Sequence, residues 1–206
     1  MKLDRTIALV GLRCSGKTTV GEVLARRLGL AFVDLDEEVV RFARYSGAKA
    51  DSIAALIEET SWAQFRQLEA AALKLLVEPT PRIVLATGGG VVERGDNRAW
   101  LVRATYCFYL DVPLELLPGR LRRDFTVRPP VTEGGDAAAE LPRLLARRDP
   151  LYRAVSTATI ECGAASPEEI CDRIEACLRD IAAPPAQTSG KKTEEGAETT
   201  TGDSAS

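Results

Sequence analysis

The sequence predicts an α/β protein with a mostly parallel, five-stranded sheet covered by helices on both faces. Two observations support this class. Short apolar runs alternate with amphipathic stretches along most of the chain, and strands that alternate with helices form parallel sheets buried on both faces. A glycine-rich segment also follows the first apolar run directly. Ligands of such sheets bind beyond the carboxyl ends of the strands, so functional residues are expected there.

Five apolar runs have the length and the β-branched or aromatic content of strands. The first reads Thr-Ile-Ala-Leu-Val and the second Ala-Phe-Val-Asp. The predicted strands are residues 6–10, 31–34, 82–86, 105–110 and 157–161.

Apolar residues recur at helical spacing between these strands. The predicted helices are residues 17–28, 37–45, 51–58, 62–77, 96–102 and 113–123, with a last helix from Ser166 to about Ile181. Two beginnings fit a capping box: Ser61-Trp62-Ala63-Gln64 and Ser166-Pro167-Glu168-Glu169. Segment 124–136 has no consistent period and carries two prolines and two glycines. We predict a mobile lid there, although a plain surface connection has the same composition.

Composition restricts the chemistry. The chain of 206 residues contains no histidine, which excludes a Ser-His-Asp triad, a histidine base and histidine-ligated metals. A general base must therefore be a carboxylate or, less readily, Lys or Tyr. Length favours one domain, residues 1–182. The remaining residues, 183–206, are rich in Pro, Ala, Thr, Ser, Gly and Glu and are predicted to be a disordered tail.

Charge and cysteine content predict the surroundings of the protein. The net charge of −3 gives no footprint for nucleic acid. No apolar run is long enough to span a bilayer, and no signal peptide is evident. Five cysteines without paired CxxC spacing indicate reduced thiols. We expect a cytoplasmic monomer that binds neither nucleic acid nor membrane.

The glycine-rich segment Gly11-Leu12-Arg13-Cys14-Ser15-Gly16-Lys17-Thr18 fits the pattern G-x-x-x-x-G-K-[ST]. A predicted strand precedes it and a predicted helix follows it, which are the two contexts that a phosphate-binding loop requires. Backbone N–H groups and the helix dipole favour anions there. Lys17 is expected to face the β- and γ-phosphates, and Thr18 to ligate Mg²⁺. The sequence thus predicts binding of a nucleoside triphosphate.

Two carboxylates follow the second predicted strand, in Asp34-Leu35-Asp36. In an extended stretch, side chains at positions i and i+2 share a face. One acid is then suited to hold Mg²⁺ through water, and the other to accept a proton from an attacking hydroxyl group. The alternative is a helix cap, because Asp36 directly precedes a predicted helix.

Glycines and arginines form a third group of candidates. Thr87-Gly88-Gly89-Gly90 follows the third predicted strand, and three successive glycines indicate close approach of the backbone to a ligand. Each of Arg66, Arg128 and Arg148 alone is most often a surface residue. Together they suit an anion pocket in which guanidinium groups bind a carboxylate.

These residues, in this order, resemble the shikimate kinase family. The specific stretch is Arg66-x-x-Glu69-x-x-x-Leu73, followed by Val84-Leu85-Ala86-Thr87-Gly88-Gly89-Gly90-Val91-Val92. The phosphate loop, the Asp34-Leu35-Asp36 pair, Phe65-Arg66, Arg128-Pro129 and Arg148-x-Pro150-Leu151-Tyr152 also fall in family order. The resemblance covers about residues 7–181.

The resemblance implies a P-loop NTPase fold of the nucleoside-monophosphate-kinase type, with a substrate-binding region at about 34–66 and a mobile lid. It implies transfer of the γ-phosphoryl group of ATP, with Mg²⁺, to the 3-hydroxyl of shikimate in aromatic amino-acid biosynthesis. Asp36 is then the base and binds the ring hydroxyls. Lys17 and Arg128 neutralise the phosphoryl group in transfer. Other substrate contacts would come from Arg66, Arg148 and the backbone of Gly88, Gly89 and Gly90.

The resemblance also implies a nucleotide site. Thr18 would ligate Mg²⁺ directly and Asp34 through water. The adenine contacts map to Pro167 and to Arg120 or Arg123, because the spacing there is shifted. The expected nucleotide-binding residues are Gly11, Leu12, Arg13, Cys14, Ser15, Gly16, Lys17, Thr18, Thr19, Arg120, Arg128 and Pro167.

Some residues depart from the family pattern, and two other functions stay open. Cys14 stands where the family often has glycine, Ser61-Trp62 replaces the usual Gly-Glu, and Pro130-Val131 replaces Leu-Leu. A gluconate kinase of the same group is disfavoured by the paired carboxylates and the two arginines. A non-catalytic sensor is disfavoured because Lys17, Asp36 and Arg128 are all present.

Overall fold

Five parallel strands form a single sheet at the centre of the structure, a computed structural model that describes residues 3–79, 81–122 and 138–182. The strands are β1 (Thr6–Val10), β2 (Ala31–Asp34), β3 (Ile83–Ala86), β4 (Thr105–Asp111) and β5 (Ala158–Glu161). Their order across the sheet is β2-β3-β1-β4-β5, and each neighbouring pair is parallel. The predicted fold class is confirmed, and each strand lies within one residue of its predicted bounds.

The register of the sheet brings the predicted site segments to one edge. Asp34 of β2 lies opposite Ala86 of β3, and Ala86 lies opposite Leu9 of β1. The residues that follow these positions leave the sheet side by side at its carboxyl edge. This arrangement places the phosphate loop, the Asp34-Leu35-Asp36 segment and the triple glycine next to one another.

Helices pack around the sheet. They are α1 (Lys17–Leu28), α2 (Leu35–Tyr45), α3 (Ile53–Glu59), α4 (Trp62–Val77), α5 (Gly95–Ala104), α6 (Leu117–Leu121), α7 (Leu141–Val155) and α8 (Pro167–Ala182). The bounds of α1 and α4 match the prediction. The helix predicted at 113–123 is wrong in its first half, where a 3₁₀ turn at Leu114–Leu116 precedes the short α6. Pro113 and Pro118 interrupt regular α-helical hydrogen bonding there.

The beginning of α2 corrects the predicted role of the two aspartates in local structure. The helix begins at Leu35, two residues earlier than predicted, and Asp34 rather than Asp36 is its N-cap. Asp34 Oδ1 accepts a hydrogen bond from the Asp36 backbone N–H at 2.9 Å. Asp36 therefore lies in the first helical turn, so the extended geometry assumed for the pair is wrong.

Helix α7 is not predicted from the sequence. It contains Pro150 in its interior, a residue that removes a backbone donor and usually ends a helix. Its buried residues nevertheless recur at helical spacing: Leu141, Leu144, Arg148, Tyr152 and Val155. The pattern escapes a search for apolar residues because one member of the buried face is an arginine.

The core lies on both faces of the sheet. Residues of β1 and most of β4 are fully buried, as expected for central parallel strands. The capping box at α8 forms as predicted, because Ser166 Oγ accepts from the Glu169 N–H and Glu169 Oε2 accepts from the Ser166 N–H. In the described part of the chain, each helix is too short or too polar to cross a membrane. The predicted lid (124–136), with Arg123 and Arg128, and the predicted tail (183–206) lie outside the described residues.

Candidate active site

Several cavities open at the carboxyl edge of the sheet, and two that share Asp36 contain most of the candidate residues. The first, which we call the phosphate cavity, has a volume of about 480 Å³. It is lined by residues 13–20, Asp34, Asp36, Thr87, Arg120, Ala165, Pro167 and Ile170. The second, which we call the arginine pocket, has about 60 Å³ and lies between α4, α7 and the three glycines. It has room for a group the size of a carboxylate.

The phosphate loop has the geometry of an anion site. Gly16 caps α1 with a φ of 92°, and Cys14 is a non-glycine residue in the left-handed region, with a φ of 61°. That conformation explains why a glycine is common at this position in similar loops. Lys17 Nζ donates to the carbonyl oxygens of Gly11 and Leu12, at 3.0 and 2.7 Å. The ammonium group of Lys17 therefore lies against the backbone of the phosphate loop.

Thr18 and Asp34, the residues predicted to hold Mg²⁺, lie next to each other. Thr18 Oγ1 donates to Asp34 Oδ2 at 2.9 Å, and both residues line the phosphate cavity. Mg²⁺ prefers oxygen ligands, retains several waters and is commonly held by one carboxylate together with substrate phosphates. In the described ranges, no group of three or more His, Cys, Asp or Glu side chains forms a metal cage. The hydroxyl and carboxylate pair thus fits Mg²⁺ bound together with a nucleotide.

Asp36 lies in the wall shared by the phosphate cavity and the arginine pocket. Asp36 is buried, with 8% exposure. A Cβ atom at Gly88 would lie 2.8 Å from Asp36 Oδ1 and 2.8 Å from Glu69 Oε1. Only glycine fits at position 88 without displacing one of these carboxylates.

Arg66 is held by a buried carboxylate on its own helix, α4. Its Nη1 atom donates to both oxygens of Glu69, at 3.0 and 2.8 Å, and Glu69 is completely buried. Burial raises the pKa of the Glu69 carboxyl group, and the neighbouring Arg66 opposes part of this rise. The Arg66 guanidinium also lies over the rings of Trp62 and Phe65, at 5.4 and 5.2 Å. A side chain at Gly90 would collide with this guanidinium group.

Arg148 is the second arginine of the pocket and is almost fully buried, with 4% exposure. Its Nε atom donates to Glu93 Oε1 at 2.6 Å. The hydroxyl of Tyr152 lies close to the Arg148 guanidinium and donates to the Gly89 carbonyl oxygen. Helix α7 is thereby joined to the triple-glycine loop.

The phosphate cavity also contains residues expected near adenine. Arg120 and Pro167 line it together, and Arg120 Nη2 donates to the Gly163 carbonyl oxygen at 3.3 Å. The structure therefore brings Arg120 to this cavity, whereas Arg123 lies outside the described residues. Thr87 and Ile170 also line the cavity and are additional contacts that the sequence did not predict.

Several residues of the site were not assigned from the sequence: Glu69, Glu93, Tyr152, Trp62 and Phe65. A signal was available for Glu69, because residues three apart on a helix are neighbours and Arg66 precedes it by three positions. No comparable signal existed for Glu93 or Tyr152, whose partners are 55 and 63 residues distant in the chain.

A phosphate loop beside a small pocket with two guanidinium groups, one buried and one partly buried, suits phosphoryl transfer to a small organic acid. Together with the strand order, this arrangement defines the chain as a P-loop kinase of the nucleoside-monophosphate-kinase fold.

Comparison with known proteins identifies the family. The shikimate kinase family model matches residues 13–179. A shikimate kinase of Oleidesulfovibrio alaskensis is 46% identical over 71% of this chain and 82% of its own length. Shikimate kinase 2 of Serratia proteamaculans is 33% identical over 86% of this chain and 97% of its own length. The structure of the Acinetobacter baumannii shikimate kinase in complex with shikimate is 34% identical, with a TM-score of 0.75 and coverage of 86% and 94%.

The chain belongs to the shikimate kinase family, the Mg²⁺- and ATP-dependent enzymes that transfer the γ-phosphoryl group of ATP to the 3-hydroxyl of shikimate. Their product leads to the aromatic amino acids. The family resemblance seen in the sequence is confirmed, and so are the predicted activity and the predicted use of ATP with Mg²⁺.

Proposed function

We propose that this chain phosphorylates shikimate with Asp36 as the base that accepts the proton of the attacking 3-hydroxyl group. One observation carries this assignment: Asp36 lies on the wall that the phosphate cavity and the arginine pocket share. A hydroxyl group bound beside it faces the phosphate loop. Phosphoryl transfer depends mainly on positioning and charge neutralisation, so a carboxylate at the junction of the two ligands is well suited to the role.

The substrate carboxylate would bind Arg66 and Arg148, which approach the arginine pocket from α4 and α7. A carboxylate accepts paired hydrogen bonds from a guanidinium group. Backbone groups of Gly88, Gly89 and Gly90 line the same pocket. A second arginine adds specificity for an acid over a neutral sugar.

Phosphate binding would rest on the loop and on Lys17, whose ammonium group is within reach of the phosphate cavity. Arg128 would neutralise the phosphoryl group from the predicted lid, a role that rests on the family resemblance because Arg128 lies outside the described residues. Thr18 and, through water, Asp34 would hold Mg²⁺, which supplies positive charge at the β- and γ-phosphates. Arg120 and Pro167 would contact adenine.

The substitution Asp36→Asn tests the central assignment. We expect kcat to fall by roughly two orders of magnitude or more, the usual contribution of a general base, while the KM for ATP and the melting temperature change little. Asp51→Asn is the matched control, because Asp51 is exposed and lines a neighbouring cavity. Steady-state kinetics would contradict the assignment if the two variants retained similar turnover.

We further propose that the enzyme acts as a cytoplasmic monomer. All five cysteines are free thiols, as is usual in a reducing compartment. Light scattering coupled to gel filtration should give the mass of one chain at catalytic concentrations, and the mass of two chains would contradict the proposal.

A further inference from the structure

Glu93 is a partly buried carboxylate to which the proposed mechanism gives no role. It is the last residue of the 3₁₀ turn Val91–Glu93, which follows the three glycines. Its Oε1 atom accepts a hydrogen bond from Arg148 Nε at 2.6 Å and lies 2.5 Å from Arg148 Nη2. Arg147 pairs with the same oxygen. One carboxylate oxygen therefore contacts two neighbouring arginines of α7.

The turn that carries Glu93 is held firmly in place. Asn97 Nδ2 donates to the Val91 carbonyl oxygen at 2.9 Å, and Arg98 Nη1 donates to that of Val92 at 2.7 Å. The Glu93 backbone N–H donates to the Gly90 carbonyl oxygen at 3.0 Å. These bonds fix the turn that carries Glu93 relative to the glycine loop. Glu93 is therefore able to set the position of the longer and more flexible Arg148 side chain.

Glu93 contacts Arg148 away from the arginine pocket. Arg148 lines that pocket, whereas Glu93 is not among the residues that do. The contact uses the Nε and Nη2 edge of the guanidinium group. Nη2 is buried and forms the ion pair without hydrogen-bond geometry to any described residue. Because a guanidinium group has five donors in a fixed plane, one held edge determines where the remaining donors point.

We propose that Glu93 is a positioning residue for shikimate: it holds Arg148 so that the free donors of the guanidinium group meet the substrate carboxylate. The inference rests on the proposed function, in which Arg148 binds that carboxylate. Glu93 also balances the charge of an arginine that is almost fully buried, and a buried charge needs such a partner. Arg148 then has the same support from Glu93 that Arg66 has from Glu69.

An alternative role for Glu93 predicts a change of opposite sign in the KM for shikimate. If Glu93 instead competed with the substrate for Arg148, removing its charge would strengthen shikimate binding. The sign of the change in the KM for shikimate therefore separates the two relations.

The test compares E93Q, R147A, R148A and the double variant E93Q/R148A with the wild-type enzyme. We expect E93Q to raise the KM for shikimate about tenfold, as for loss of one charged hydrogen bond, with kcat and the KM for ATP nearly unchanged. R147A is the control, because it removes the exposed partner of Glu93 and leaves Arg148 held. In the R148A background, E93Q should add no further increase, which a general loss of stability would not reproduce.

The outcomes separate the inference from the proposed function. If R148A leaves the KM for shikimate unchanged, the role of Arg148 is wrong. If R148A raises it but E93Q leaves it unchanged or lowers it, the role of Glu93 is wrong. Shikimate methyl ester lacks the carboxylate charge, so E93Q should raise the KM for the ester less than it raises the KM for shikimate. Should E93Q fail to fold, E93D retains the charge one methylene shorter and must raise the KM for shikimate above the wild-type value.

Discussion

Gly88 lies where the two buried carboxylates of the site, Asp36 and Glu69, approach the glycine loop most closely. Neither carboxylate is free to move far. Glu69 is completely buried and bound to Arg66, while Asp36 belongs to the first turn of α2. The absence of a side chain at position 88 is therefore a requirement of the site rather than of the backbone, since the φ of Gly88 is not positive.

The substitution Gly88→Ala should lower kcat/KM for shikimate by roughly a hundredfold, because displacement of about 1 Å at a reacting group costs that much. Gly95→Ala is the matched control. A Cβ atom there meets only Arg98 Nη2, at 3.6 Å, so we expect near-normal kinetics. Equal kinetics for the two variants would show that the close approach at Gly88 is not needed.

At the level of elements, helix positions were predictable where apolar periodicity and capping agreed. Helices α1 and α4 match their predicted bounds, and all five strands do so within one residue. Two elements were not predictable for physical reasons. In α2, Asp34 takes the cap that was considered for Asp36, since either aspartate suits it. In α7, a proline and a buried arginine conceal the helical pattern.

The candidate site divides in the same way. The phosphate loop, Asp34, Asp36 and the glycines are local motifs and were found from the sequence. Whether the carboxylate partner of each arginine could be predicted depends on its separation from that arginine in the sequence. Glu69 is three residues from Arg66, but Glu93 is 55 residues from Arg148. Only the packing of α7 against the 3₁₀ turn brings that second pair together.

Substitution of the caps tests how far α4 positions the substrate pocket. Ser61 Oγ accepts from the Gln64 N–H at 3.2 Å, so Ser61→Ala should lower the free energy of unfolding by about 1 kcal/mol. Ser166→Ala, at the start of α8, should have a similar cost and serves as the control. Only Ser61→Ala should also raise the KM for shikimate, because its helix carries Arg66. Urea denaturation and kinetics together measure both effects, and an equal rise in KM for the two variants would contradict this assignment.

For the molecule as a whole, stability should depend on pH through Glu93, the carboxylate that holds the buried Arg148. Burial alone would raise the pKa of Glu93, but Arg148 and Arg147 outweigh it and lower that pKa below its ordinary value of 4.5. A carboxyl group with a lowered pKa stabilises the fold fully above its unfolded-state pKa. That stabilisation is lost as the pH falls through the folded-state pKa.

The melting temperatures of the wild type and E93Q should therefore differ by a constant amount between about pH 5 and pH 7. Below pH 4.5, the value at which an unfolded glutamate is half protonated, the difference should narrow. Thermal denaturation followed by circular dichroism across this range measures it. A difference that stays constant or widens at acid pH would show that the Glu93–Arg148 pair does not stabilise the folded chain.

The most direct measurement is ADP release by the purified protein with Mg-ATP, alone and with shikimate, and with gluconate in parallel. The proposed site predicts strong stimulation by shikimate and none by gluconate, with the stimulation lost in Asp36→Asn. ATP binding without stimulation by shikimate, or stimulation by gluconate as strong as that by shikimate, would contradict the proposed specificity for shikimate.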